Sequence, residues 1–171
     1  MYDPTVFENL KVAFENLLYD MDNIERKINI TNRTDRMDFS IIKRDFSIEF
    51  VLSDKQKVTA EIIIEASLEE LASEILETPG KAPGCTLQLK FQKSVIEVPE
   101  ECKSIELALK EIWEDDITIT QRLSFEYGQL KKNYVNTILL SFHQKIKEEN
   151  IGEIDDFLSS VIETLELLHT I

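Results

Sequence analysis

The residue types that carry most enzyme chemistry are scarce in this chain. His143 and His169 are the only imidazole bases. A serine, threonine or cysteine nucleophile needs a base within hydrogen-bond reach, and histidine is the usual one. His143 follows Phe142 and reads as a surface residue. His169 sits near the end of a helical pattern, where positive character suits the dipole. Cys85 and Cys102 have no Cys-x-x-Cys spacing and too few histidines nearby for zinc. Both are expected as reduced, half-buried apolar side chains. No Gly-x-Ser-x-Gly, Walker A, Gly-x-Gly-x-x-Gly or His-Glu-x-x-His pattern occurs.

Carboxylate doublets are plentiful: Glu69-Glu70, Glu100-Glu101, Asp115-Asp116, Glu148-Glu149 and Asp155-Asp156. General acid–base work needs two carboxylates in different environments. These doublets all fall at expected helix ends, where solvated acids are ordinary. None has the spacing of a calcium loop. Gly80-Lys81-Ala82-Pro83-Gly84 superficially resembles a phosphate cradle but lacks the Ser or Thr after its lysine. It reads as a helix-to-strand connection, with both glycines supplying positive φ. No catalytic, cofactor-binding or metal-binding residue is therefore assigned, and no cofactor is expected.

Charge says more than motifs. The 171 residues carry 19 Lys and Arg against 33 Asp and Glu, a net charge of −14 and a pI near 4.6. Such a field repels phosphate, so neither nucleic acid nor an anionic membrane is expected as a partner. The acids are segregated: residues 58–80 and 97–116 are each net −6, and 151–171 hold five acids and no Lys or Arg. Residues 81–96 and 117–150 are net +3 and +2.

The elements that must position these charges follow from periodicity. Asp3-Pro4 reads as a helix cap, and Phe7, Leu10, Phe14, Leu17, Met21, Ile24 and Ile28 then recur at gaps of three and four. That helix is expected to reach Asp22, with a continuation to Ile28 open. Phe46, Ile48, Phe50 and Leu52 alternate with more polar neighbours, as do Val58, Ala60, Ile62 and Ile64, across a polar loop. An earlier strand is expected near Phe39–Ile42. Ser67 and Glu70 form a capping-box pattern for a helix through Leu76. Leu87, Leu89 and Phe91 mark a strand that Val95–Val98 extends. A helix opens at Pro99, with Ile105, Ala108, Leu109, Ile112 and Trp113 inward. Ile117, Ile119, Leu123, Phe125 and Tyr127 then mark a strand, interrupted only by Gln121. Residues 129–149 fit either period. Leu130, Tyr134, Val135, Ile138, Leu139, Phe142 and Ile146 form a helix stripe, and the length of the segment favours helix. Ile151, Ile154, Leu158, Val161, Leu165 and Leu168 give a last helix.

Residues 1–171 are thus expected to form a single α+β domain, an antiparallel-rich sheet flanked by N-terminal and C-terminal amphipathic helices. Residues 1–25 carry acids and no apolar run after a basic start, so no signal peptide is read and the expected location is cytoplasmic. In acidity, small size and a mixed sheet with helices at both ends, the chain is similar to class I secretion chaperones and toxin-neutralising immunity proteins. That likeness is compositional and carries over no residue. The expected function is non-enzymatic protein binding, chaperone-like or inhibitor-like. The acidic helices 67–77, 100–114 and 153–169 would face a basic protein, and the heptad-like seams admit a homodimer. The alternative is a small-molecule-binding domain or enzyme with a site between sheet and helices, near loop 78–84.

Overall fold

The computed structural model describes residues 5–77, 79–80, 82–114 and 116–171; the Asp3-Pro4 cap, Thr78, Lys81 and Asp115 lie outside them. The elements run α1 (Thr5–Asn23), β1 (Ile28–Asp38), β2 (Lys43–Leu52), β3 (Thr59–Ala66), α2 (Leu68–Ile75), β4 (Thr86–Val95), α3 (Val98–Ile112), β5 (Ile117–Ser124), β6 (Tyr134–Phe142) and α4 (Ile154–Thr170). A 3-10 turn, Glu148–Glu153, leads into α4. The six strands form one sheet in the order β1-β2-β3-β4-β6-β5, every pair antiparallel. The α+β expectation with flanking helices is what the chain adopts.

Period-two patterning divides the sheet into a core face and an open face. One transverse row reads Arg33, Ile48, Ile62, Leu89, Leu140 and Ile119 from β1 to β5; its neighbour reads Thr34, Ser47, Ile63, Gln88, Ser141 and Thr118. The apolar members of the first row join the core with Phe7, Phe14 and Leu18 of α1, Leu71 of α2, Ile105 and Leu109 of α3, and Leu158 and Leu165 of α4. Full burial of such a side chain contributes roughly 1.5–3 kcal/mol. The second row faces away from that core and is mostly Ser, Thr and Gln.

Two expected elements are corrected. Residues 129–149 are not a helix: Tyr134–Phe142 is strand β6, inside the sheet between β4 and the edge strand β5. Asn136 obscured its alternation, because it points into the core while fully buried. It is held there by Gln121, the residue that interrupted the pattern of β5: Asn136 Nδ2 donates to Gln121 Oε1 at 2.8 Å, and Gln121 Nε2 donates to the Cys102 carbonyl at 2.8 Å. The early strand is Ile28–Asp38 rather than Phe39–Ile42, which is the turn that joins it to β2. Lesser shifts concern ends. α1 stops at Asn23 with Ile24 exposed, β4 stops at Val95, and α4 opens at Ile154 with Ile151 on the 3-10 turn.

Candidate functional site

Trp113 closes the C-terminal end of α3, Phe142 ends β6, and Phe157 lies in the first turns of α4. Three element ends converge, and their rings meet edge-on or tilted: Trp113–Phe142 at 5.5 Å, Trp113–Phe157 at 5.5 Å and Phe142–Phe157 at 5.6 Å between centroids. Phe157 continues to Phe14 at 6.1 Å, which anchors the cluster in the core. Trp113 is locked by its indole N–H, which donates to Thr164 Oγ1 of α4 at 3.1 Å. Such a floor is rigid, apolar and polarisable.

Above it opens a recess of about 420 Å³, walled by Leu87, Ile112, Ile117, Ile146 and Ile154. Its rim is acidic, with Glu114, Asp116 and Glu153, and Lys145 is its one base among the described residues. Lys145 does not neutralise that rim, because its ammonium pairs with Glu70 of α2. Glu70 also accepts the Gly84 N–H at 2.9 Å, so it serves as a tether to the loop. The Ser67 half of the expected capping box forms, with Ser67 Oγ accepting from the Glu70 N–H at 3.4 Å.

The residues that the sequence singled out lie away from this floor or do structural work. Gly80 has the expected positive φ of 77°. Gly84 is there for close approach instead: a Cβ would meet the Ile146 carbonyl oxygen and Lys145 Cβ at 3.0 Å. The space at Pro83–Cys85 is only about 10 Å³, whereas the recess of about 420 Å³ is lined by Leu87, Lys145 and Ile146. Cys85 is buried and its thiol is pushed up to about 12 by burial, which keeps it protonated. Cys102 is half-buried, and burial pushes its thiol up as well. Both cysteines are free.

His143 lies between Thr118 and Asp116, with Thr118 Oγ1 at 2.7 Å from Nε2 and Asp116 Oδ1 at 3.2 Å from Nδ1. A hydroxyl, an imidazole and a carboxylate in this order have the connectivity of a catalytic relay. The surroundings do not support one. Ring and carboxylate are 51% and 56% exposed, and Thr118 stands on the open sheet face, where nothing excludes water. The bonds join the ends of β5 and β6.

At the other end of α4, Lys93 Nζ donates to the Leu168 carbonyl at 3.0 Å. Burial lowers its pKa, yet the cation complements the negative end of the helix. His169 Nδ1 lies 2.7 Å from the Leu165 carbonyl at the same end. Among the described residues no group of three His, Cys, Asp or Glu is placed to hold a metal ion, and no helix is long and apolar enough to cross a membrane.

Sequence reasoning placed Trp113 inward and left Phe157 out. The available signal was that Trp113, Phe142 and Phe157 all lie within a few residues of an element end. Comparison with family models, with curated proteins and with solved structures finds no match to this chain.

Proposed function

We propose that this protein acts without catalysis, by binding a basic protein segment whose apolar side chain seats on the Trp113–Phe142–Phe157 floor. The observation that carries this reading is an aromatic recess lined by Glu114, Asp116 and Glu153, whose one Lys or Arg among the described residues, Lys145, is drawn to Glu70. Buried aromatics surrounded by a charged rim are the usual anatomy of an anchoring pocket. Lys or Arg beside the anchor would meet Glu114, Asp116 and Glu153. The acids of α4, Asp155, Asp156, Glu163 and Glu166, lie on a helix with no Lys or Arg and would steer the approach.

Trp113 is the only tryptophan, so the recess reports on itself. Titration with a tryptophan-free peptide of one Phe or Leu followed by lysines should change Trp113 emission saturably. Its affinity should fall as salt rises, since screening acts over about 8–10 Å at physiological ionic strength. An acidic peptide with the same apolar residue should have no effect. Unchanged emission with the basic peptide, or an affinity flat in salt, would refute the reading.

One observation supports a second reading. The recess lies between sheet and helices, and its volume of about 420 Å³ suits a small cationic aromatic molecule. Tight binding of such a molecule, with no response to the peptide, would favour it.

A further inference from the structure

Among the described residues, the loop between β5 and β6 is the most exposed apolar part. Phe125, Tyr127 and Leu130 are 69%, 102% and 104% exposed, and Lys131 and Lys132 follow them. An apolar anchor next to two lysines is the chemistry that the acidic aromatic recess selects. Within one molecule the two cannot meet. The recess mouth, at Glu114, Asp116 and Ile117, and the loop lie at opposite ends of β5, about 25 Å apart at ~3.3 Å per residue.

β5 is also an open edge. It pairs only with β6, and its other side makes no backbone hydrogen bond among the described residues. Natural edges block strand addition with bulges, prolines and charges. β5 has no bulge and no proline, and Arg122 is its one charge. Antiparallel pairing of a strand with its own copy exchanges its ends. A two-fold axis between the strands beside Thr120, normal to the sheet, sets Leu123 opposite the partner's Ile117 and brings Phe125 to the partner's recess mouth. An axis beside Gln121 sets Phe125 opposite the partner's Ile117. In both registers the core faces of the two sheets stay on the same side, which is where the recess opens.

We propose that two copies of this chain pair antiparallel through β5, and that the β5–β6 loop of each seats Phe125 and Tyr127 in the acidic aromatic recess of the other. Lys131 and Lys132 then face the partner's Glu114 and the partner's Asp116. The partner copy completes the site, and the proposal rests on the reading of the recess as a seat for a basic, apolar segment.

Sedimentation of the full chain should show a dimer at micromolar concentration. Thr120→Cys or Gln121→Cys should give a disulfide-linked dimer under mild oxidation, because facing residues of an antiparallel pair lie about 4.5–5.5 Å apart at Cα. The parent chain and Thr31→Cys on the opposite edge should not. Phe125→Ser with Tyr127→Ser should weaken dimerisation by about tenfold or more. Lys131→Glu with Lys132→Glu should weaken it too, and Glu114→Lys with Asp116→Lys on the same chain should restore it. Because these side chains are exposed, the loop variants should keep the far-ultraviolet circular dichroism of the parent. A chain that stays monomeric at about 100 μM, a dimer indifferent to the loop variants, or cross-linking through β1 would overturn the proposal. A monomer whose Trp113 emission still responds to the basic peptide overturns the self-pairing alone. A dimer linked through β5 whose Trp113 emission is unchanged on dissociation overturns the seating in the recess.

Discussion

The two edges of the sheet are built differently. β1 is eleven residues long, is broken by a bulge between Ile30 and Asn32, and carries Arg33, Asp35 and Arg36. Two of these point to the helix face and are held there. Arg33 pairs with Glu15 of α1 and stacks over Phe46 at 5.4 Å. Asp35 accepts from Lys11 of α1 at 2.9 Å and from Arg44 of β2 at 3.0 Å. Arg44 also bonds Glu8 at 3.0 Å and lies over Phe7 at 4.8 Å. β5 has eight residues, no bulge and one charge. One edge is kinked, charged and tied to a helix. The other keeps a regular hydrogen-bonding template beside an exposed aromatic loop. An edge with no protection is an aggregation liability unless something pairs with it.

The largest effect should come from the core beneath both edges. Phe14→Ala should cost about 3–5 kcal/mol and Leu158→Ala about 2–5 kcal/mol in denaturant melts. Val161→Ala should cost less, since it removes fewer buried carbons. If Phe14→Ala melts like the parent, α1 does not pack on the sheet through this ring, and the β1 edge loses the helix that ties it down.

Next comes a direct contrast between edges. Arg44→Met takes one cation from the Asp35 and Glu8 carboxylates, which keep Lys11, and should cost about 1.5–3 kcal/mol through the lost charged hydrogen bonds. Arg122→Met on β5 should stay within about 0.5 kcal/mol. Equal losses would erase the distinction.

Acid should sharpen it. Burial alone would raise the Asp35 pKa, but hydrogen bonds from Lys11 and Arg44 outweigh burial and hold it below the usual carboxylate value. A folded pKa below the unfolded one means stabilisation that is present above about pH 4 and lost as pH falls through the folded value. Urea melts at pH 7 and pH 3 should therefore show a larger loss for the parent than for Asp35→Asn. A parallel loss in both would mean that Asp35 does not contribute to the acid sensitivity of this edge.

The smallest effect concerns the turns beside the edges. The β5–β6 loop reaches positive φ with Gly128, at 88°, whereas the β1–β2 turn does so with Ile42, at 52°. A β-branched residue is strained there, so Ile42→Asn should add about 0.5–1 kcal/mol. Destabilisation by that variant would mean that Ile42, 43% exposed, contributes more by packing than it loses by strain.

The elements whose stripes were legible are those whose inward positions are mostly apolar: α1, α3, α4, β2, β3 and β4, in which Arg44, Lys93 and Thr164 are inward polar exceptions on β2, β4 and α4. β1 was illegible because Arg33 and Asp35 occupy inward positions, satisfied by charges on α1, and the bulge reverses side-chain parity midway. β6 was illegible because Leu139-Leu140 fits both periods and Asn136 breaks one. Asn136 and Gln121 look like defects in two separate strands until the register brings them 2.8 Å apart. Of the recess, Trp113 and Phe142 were legible only as single residues and Phe157 was missed, since the recess forms where three chain segments end together.

By itself the sequence determined the α+β class, the acidic field and the faces of most elements. Periodicity and charge are local properties, set by backbone geometry and composition. The strand order, the edge left open, the partners of the buried polar groups and the meeting of Trp113, Phe142 and Phe157 were decided by tertiary structure. They depend on contacts between residues far apart in the chain, and no local pattern records which distant group will satisfy a buried amide or lie across a ring.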